Sequence, residues 1–137
     1  MGDAYALRLD MGEAVRRFPG LVFEDETVGE VVARPELFGD VVLARKETPA
    51  SYHLCVTVDD AFQEVELVTR GEDLFEATHV HRLLQAVLDL PVPRYAHHRL
   101  VLGDDGKKLS KRDGAETLRA MRERGEPVLS LIETFLS

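Results

Sequence analysis

Val65-Glu66-Leu67-Val68-Thr69-Arg70-Gly71-Glu72-Asp73-Leu74, running on into Phe75-Glu76-Ala77-Thr78-His79-Val80-His81-Arg82-Leu83-Leu84-Gln85-Ala86-Val87-Leu88, decides the fold. Val65–Thr69 is short and rich in β-branched residues, the signature of a strand. From about Glu72 to Leu88 the period changes. Val80, Leu83, Leu84 and Val87 fall at i, i+3, i+4 and i+7, which puts one apolar stripe along a helix. Glu72 and Asp73 sit in the first turn, where acidic groups suit the positive end of the helix dipole. A strand that passes directly into a helix is the unit of an α/β sheet, parallel in part. Arg70 stands at the passage itself, where such sheets bind ligands in the crevice at their strand ends.

Working toward the N-terminus, Tyr52–Ala61 reads either as a helix or as a buried strand, because the β-branched run Val56-Thr57-Val58 weakens the helical reading. Ser51 suits the N-cap of such a helix. Strands are expected at Tyr5–Asp10, Leu21–Phe23 and Gly39–Ala44, with a short helix at Gly12–Arg17 ended by Pro19-Gly20. Toward the C-terminus, Pro91 and Pro93 stop the long helix. Leu100–Leu102 reads as a short strand, Gly103–Gly114 as a polar loop, and Ala115–Arg124 and Val128–Leu136 as helices. Leu129, Ile132 and Leu136 share one face of the last.

Composition narrows the function classes. Hydrophobic residues at 45% and charged residues at 31% are ordinary for a soluble globular protein. The net charge of −8 argues against a general polyanion-binding surface. The acidic excess lies in the first ninety residues, however, and residues 91–137 carry slightly more Lys and Arg than Asp and Glu. No apolar run approaches a bilayer span, so no membrane contact is expected. The single cysteine, Cys55, cannot form an internal disulfide. That fits a reducing cytoplasm, and the residue reads as core. His79 with His81, and His97 with His98, have no zinc-ligand spacing and read as packing residues, so no metal site is expected. Asp59-Asp60 reads as structural rather than as an acid–base pair.

The stretch Asp104-Asp105-Gly106-Lys107-Lys108-Leu109-Ser110-Lys111-Arg112 places four cations and a hydroxyl on a loop softened by glycine. Charge alone would make it a solvated basic loop. It can equally fold over a polyphosphate and neutralise the charge that builds as pyrophosphate leaves.

Lys108-Leu109-Ser110-Lys111-Arg112 resembles the lysine–serine–lysine signature loop of class I aminoacyl-tRNA synthetases in its glutamate-type form. Arg70-Gly71-Glu72-Asp73-Leu74, Ala44-Arg45-Lys46, Ser51-Tyr52-His53-Leu54 and Val58-Asp59-Asp60 precede it in the order and spacing of glutamyl-tRNA synthetases and their short relatives, the glutamyl-queuosine tRNA(Asp) synthetases. The resemblance runs from about Tyr5 to Gly125 and is best to the short relatives, which share the pattern Gly39–Lys46 and Val56. It implies an α/β fold, the second half of a class I synthetase Rossmann-type nucleotide-binding domain ending in helices. Residues 1–125 would be that half and 126–137 the start of a following helical segment. It implies ATP with Mg²⁺ as a substrate, glutamate and tRNA as the others, and no zinc site in this chain. Lys111 would contact the ATP phosphates, with Lys108, Leu109, Ser110 and Arg112 shaping the loop. Tyr52 and Arg70 would hold the glutamate, as a hydroxyl and a guanidinium suit a carboxylate.

The family's other signature, a His-x-Gly-His type motif, is absent from these 137 residues. The expectation is therefore a chain that works as part of a larger synthetase, needs the missing N-terminal half, and is inactive alone. A non-catalytic paralogue that binds RNA or protein is the alternative reading. In it, the apolar faces Val80–Val87 and Leu129–Leu136 would be uncovered and would support self-association.

Overall fold

Three strands each bury an apolar residue and, two positions later on the same face, a polar one. These are Phe23 and Asp25 in β2 (Val22–Asp25), Val68 and Arg70 in β5 (Leu67–Gly71), and Tyr95 and His97 in β6 (Arg94–His98). Period two puts residues i and i+2 on one face of a sheet, so each strand contributes one member to an apolar row and one to a polar row, with β2 offset so that Asp25 is level with Tyr95. Relative exposures of 1%, 8% and 2% for the first row and 3%, 8% and 9% for the second make them equally buried.

The computed structural model describes residues 4–102, 106 and 118–125. It divides into two compact units, residues 1–98 and 99–137. The first unit runs β1 (Ala6–Arg8), α1 (Met11–Arg17), β2, β3 (Gly29–Val32), a 3₁₀ turn at Pro35–Phe38, β4 (Val42–Arg45), α2 (Tyr52–Phe62), β5, a 3₁₀ turn at Glu72–Leu74, α3 (Ala77–Val87) and β6. Its four-stranded sheet has the order β3-β2-β6-β5, with β6 parallel to both β2 and β5 and the β2–β3 hairpin antiparallel. The fold is therefore mixed α/β with a parallel core. Because β2, β5 and β6 run the same way, Asp25, Arg70 and His97 all lie toward the carboxyl ends of their strands. The antiparallel pair β1–β4 stands apart from this sheet.

The helix α3 lies over the buried sheet face. Val80, Leu83 and Leu84 are at most 1% exposed, and Leu83 closes a cluster with Met11 and Ala14 of α1. Phe23, Val68 and Tyr95 form a second cluster, with Phe75 against it. The Val80–Val87 face is thus covered within this unit, which removes it as a surface for self-association; only Val87 at its end is exposed. The second proposed face, Leu129–Leu136, lies outside the described residues, as does the segment 126–137. In the second unit the described helix α4 (Leu118–Glu123) carries an Arg119–Glu123 ion pair on exposed side chains.

Several expectations shift. The helix expected from Glu72 begins as a 3₁₀ turn and becomes α only at Ala77, since no side chain caps the backbone N–H groups at Gly71. Tyr52–Phe62 is a helix, capped by Ser51, whose hydroxyl accepts from Leu54 N–H. The last parallel strand is Arg94–His98, and at Leu100–Leu102 only Leu102 forms a single bridge. Cys55 is exposed, not core. It shares the outward stripe of α2 with Val58, Asp59 and Phe62, while Thr57 faces inward.

Candidate functional site

The polar row does not end at the sheet. Two further polar residues, Thr78 and His81, are presented by α3 three positions apart, and neighbours at i and i+3 lie on one side of a helix. His53 is the second residue of α2, which packs on α3. Together these six side chains form one hydrogen-bonded chain. Asp25 Oδ2 meets His97 Nδ1 at 2.6 Å, and His97 Nε2 lies 3.3 Å from Thr78 Oγ1 and 3.4 Å from Arg70 Nη2. Arg70 Nη2 also donates to Thr78 Oγ1, and Arg70 Nη1 donates to His81 Nδ1 at 2.9 Å. His81 Nε2 then reaches His53 Nδ1 at 2.9 Å.

The chain joins two cavities. Asp25 and His97 line one of about 360 Å³, with Thr27, Val28, Glu72 and Phe75. His53 lines another of about 370 Å³, with Val41, Val42, Ala44, Arg45, Thr48 and Ser51. Both fall in the size range of small-ligand sites, and the first opens at the carboxyl ends of parallel strands.

Electrostatics sets the chain's protonation. Burial alone would raise the Asp25 carboxyl, but the His97 ring and the Thr27 and Val28 backbone N–H groups outweigh it and hold the pKa below the ordinary value. Burial, the Arg70 charge and the neighbouring His53 push His81 down to about 3. His53 is lowered by burial and by Arg70. Asp60 is raised by burial, against the attraction of Arg70. His81 and His53 are therefore neutral at pH 7.

Arg70 is the centre of the arrangement. It is 8% exposed, and among the described residues no carboxylate lies within ion-pair distance of it. Its Nε has no hydrogen-bond partner. The Tyr95 ring lies beneath it, with Cζ 5.1 Å from the ring centroid, and supplies only the partial compensation of a π-face. A buried cation short of a counter-charge is costly for a structural residue and suited to an anionic ligand.

Of the residues expected at the site, Tyr52 and Arg70 are brought to two sides of one ring. Tyr52, 49% exposed at the start of α2, meets His81 edge-on with centroids 5.7 Å apart. Lys108, Leu109, Ser110, Lys111 and Arg112 lie outside the described residues. Sequence reasoning missed His81, His53, His97, Thr78 and Asp25 as parts of the site. A usable signal existed: the buried face of each parallel strand turns polar at its last inward position. His79 is a packing residue, as expected. Its Nδ1 accepts from Arg34 N–H at 2.9 Å and its ring stands edge-on to Phe23. Among the described residues no group of three or more His, Cys, Asp or Glu could hold a metal ion.

Residues 2–136 match the family described as tRNA synthetases class I (E and Q), catalytic domain. A glutamyl-Q tRNA(Asp) synthetase of Rhodobacter capsulatus is 57% identical over 96 residues, covering 67% of this chain and 34% of that protein. A glutamate–tRNA ligase of Aquifex aeolicus is 42% identical over 124 residues, covering 90% of this chain and 25% of its own length. The crystal structure of a glutamate tRNA ligase from Elizabethkingia meningosepticum in complex with its amino acid superposes with a TM-score of 0.58 at 32% identity. That match covers 69% of this chain and 19% of the other. The chain spans a quarter to a third of the length of these two curated relatives.

Proposed function

This chain belongs to the class I tRNA synthetases of the glutamate and glutamine type, within their catalytic domain, and from that premise we propose that it holds the glutamate-recognising part of an ATP-dependent glutamyl-tRNA ligase. The observation that carries the reading is Arg70. A guanidinium buried at the carboxyl edge of a parallel sheet, with its Nε unpaired and no ion-paired carboxylate among the described residues, is suited to a carboxylate from a substrate. Tyr52 meets the His81 ring that Arg70 also contacts, and it supplies the second of the two groups that this reading assigns to glutamate. The reaction joins glutamate to ATP, giving glutamyl-adenylate and pyrophosphate, and then passes the glutamyl group to tRNA.

Lys111, with Lys108, Leu109, Ser110 and Arg112, serves the other substrate. Lys111, with the charges of Lys108 and Arg112 and with Mg²⁺, neutralises the ATP phosphates as pyrophosphate departs, and Leu109 and Ser110 shape the loop. As acceptor we favour the queuosine base of tRNA(Asp) over the terminal ribose of tRNA(Glu). The glutamyl-Q relative is the more similar of the two curated proteins compared, at 57% against 42%.

The test is a chimera in which these residues replace the corresponding third of the Rhodobacter capsulatus protein. Glutamate-dependent exchange of pyrophosphate into ATP is expected from the chimera and not from the 137-residue chain alone. Arg70→Ala should raise its glutamate KM by roughly a hundredfold, the effect of removing a charge-assisted pair of bonds. Lys111→Ala should instead lower kcat. Exchange that ignores Arg70→Ala would overturn the assignment. Absence of exchange from a folded chimera would favour a non-catalytic binding module.

A further inference from the structure

His97 is held from both faces and at both nitrogens. Its ring stacks on Tyr95, with centroids 6.0 Å apart and planes 11° from parallel, and Phe75 stands edge-on to it at 5.1 Å. These contacts fix where the ring lies but not which nitrogen carries hydrogen. Asp25 settles that. Its Oδ1 accepts from the Thr27 and Val28 N–H groups, which anchors the carboxylate and turns Oδ2 to His97 Nδ1 at 2.6 Å. An ionised carboxylate can only accept, so His97 carries hydrogen on Nδ1. On the other side of the ring, Nε2 lies 3.3 Å from the Thr78 hydroxyl and 3.4 Å from Arg70 Nη2. A guanidinium has only hydrogens to give, so the Nε2 that faces it is bare.

We propose that Asp25 and His97 are positioning residues for Arg70: the carboxylate holds the imidazole in the form whose bare Nε2 accepts from the guanidinium and from Thr78, and this fixes the guanidinium over Tyr95 in the orientation that meets its ligand. The proposal rests on the reading of Arg70 as the glutamate-binding group and deepens it. A buried carboxylate that sets the tautomer of a histidine is a known device where the histidine serves a nucleophile. Here the ring serves a cation. A neutral acceptor suits that task. A carboxylate in the place of His97 would pair with Arg70 outright and compete with the ligand for its hydrogens, whereas a neutral ring takes one weaker bond and leaves Nε unclaimed. Thr78 accepts from Arg70 Nη2 and offers its own hydrogen to Nε2, so the tautomer reaches Arg70 by two routes.

The test is Asp25→Asn. The two backbone N–H groups retain the amide oxygen, which turns the NH₂ group to His97 Nδ1. Nδ1 must then accept, and the ring's hydrogen moves to Nε2, where it opposes Arg70. Nitrogen-15 spectra of the full chain, with no ligand, should show His97 hydrogen on Nδ1 alone in the parent and on Nε2 in Asp25→Asn. The Arg70 Nε–H signal, which feels the Tyr95 ring beneath the guanidinium, should move with it. Hydrogen on His97 Nε2 in the parent, a tautomer unchanged in the variant, or an Arg70 signal that does not follow the tautomer each overturns the proposal whatever the substrate. In the chimera, Asp25→Asn should raise glutamate KM by roughly tenfold and leave kcat within about twofold of the parent. His97→Phe keeps a ring against Phe75 and Tyr95 without a lone pair, and should raise KM by a similar factor. Added to His97→Phe, Asp25→Asn should change KM no further, because the carboxylate acts only through the ring. A KM unmoved by Asp25→Asn, or two effects that add in full, overturns the proposal. Exchange that ignores Arg70→Ala sinks the glutamate reading instead, and the spectra still decide the positioning.

Discussion

Phe23, Val68 and Tyr95 occupy the same face of the same three strands as Asp25, Arg70 and His97, two residues earlier in each case. The two rows are equally hidden from water. One is closed by ring edges, with Phe23 meeting Phe75 and Tyr95 at centroid distances of 5.9 Å each. The other is closed by hydrogen bonds that leave Arg70 Nε without a partner. The difference shows that burial by itself does not separate a core from a site. What separates them is whether the buried groups complete one another. Among the described residues the apolar row is finished, and the polar row has at Arg70 no carboxylate within ion-pair distance, only the more distant attraction of Asp60.

The largest effect should come from breaking the finished row. Phe23→Ala removes a ring that touches Phe75, His79 and Tyr95, and should cost about 3–5 kcal/mol of stability. Chemical denaturation checks it. A loss under 1 kcal/mol would mean the apolar row is not the unit's core. In the polar row, Arg70→Lys keeps the charge but lacks the fork that meets His81 and Thr78 at once. It should cost about 1–3 kcal/mol, less than Phe23→Ala, because the cation stays in place and only part of its hydrogen bonding is lost. Equal losses in the two variants would erase the distinction between the rows.

Acid sharpens the comparison from the other side. His81 is held at about 3 in the fold and is lowered from 6.5. The unfolded chain therefore takes up a proton on this ring that the folded chain refuses. Stability from the neutral ring is complete above pH 6.5 and drains away as pH falls toward 3, by about 1.4 kcal/mol per pH unit for this one group. His53 and His79 are lowered as well and act in the same direction. Asp25, also lowered, adds its loss only below the ordinary carboxylate pKa of 3.8. Denaturant midpoints between pH 7 and 4.5 should fall steadily in the parent and less steeply in His81→Gln. A flat profile would mean that His81 is protonated in the fold.

Much of the finished row was legible in the sequence, and little of the other. The strand at Leu67–Gly71 and the stripe Val80, Leu83 and Leu84 follow from their periods, because packing and pattern point the same way there. The strand Arg94–His98 did not, since Pro91 and Pro93 precede it and its inward positions are a tyrosine and a histidine, not aliphatic residues. His81 reads as packing until Arg70 is seen beside it. Nothing local in Thr78-His79-Val80-His81 says which histidine turns to Phe23 and which to a cation. Tyr52 and Arg70 are expected at the site from the family resemblance alone, which does not use their contacts. Cys55 misled because apolar content around α2 is high on both sides, and only tertiary packing chooses the inward one.

The smallest structural effect belongs to Tyr52→Phe, and it tests most cleanly where the unfinished row ends. Tyr52 is half exposed, its ring rests against His81, and among the described residues its hydroxyl makes no hydrogen bond. The substitution keeps the ring contact and leaves the Ser51 cap of α2 in place. Stability should therefore change by no more than about 0.5 kcal/mol, as for a surface site. The hydroxyl matters only if a ligand carboxylate takes its hydrogen. In that case the chimera's glutamate KM should rise by roughly three- to tenfold with kcat nearly unchanged, the cost of one hydrogen bond to a charged group. A KM equal to the parent's would make Tyr52 a packing partner of His81 and not a ligand of glutamate.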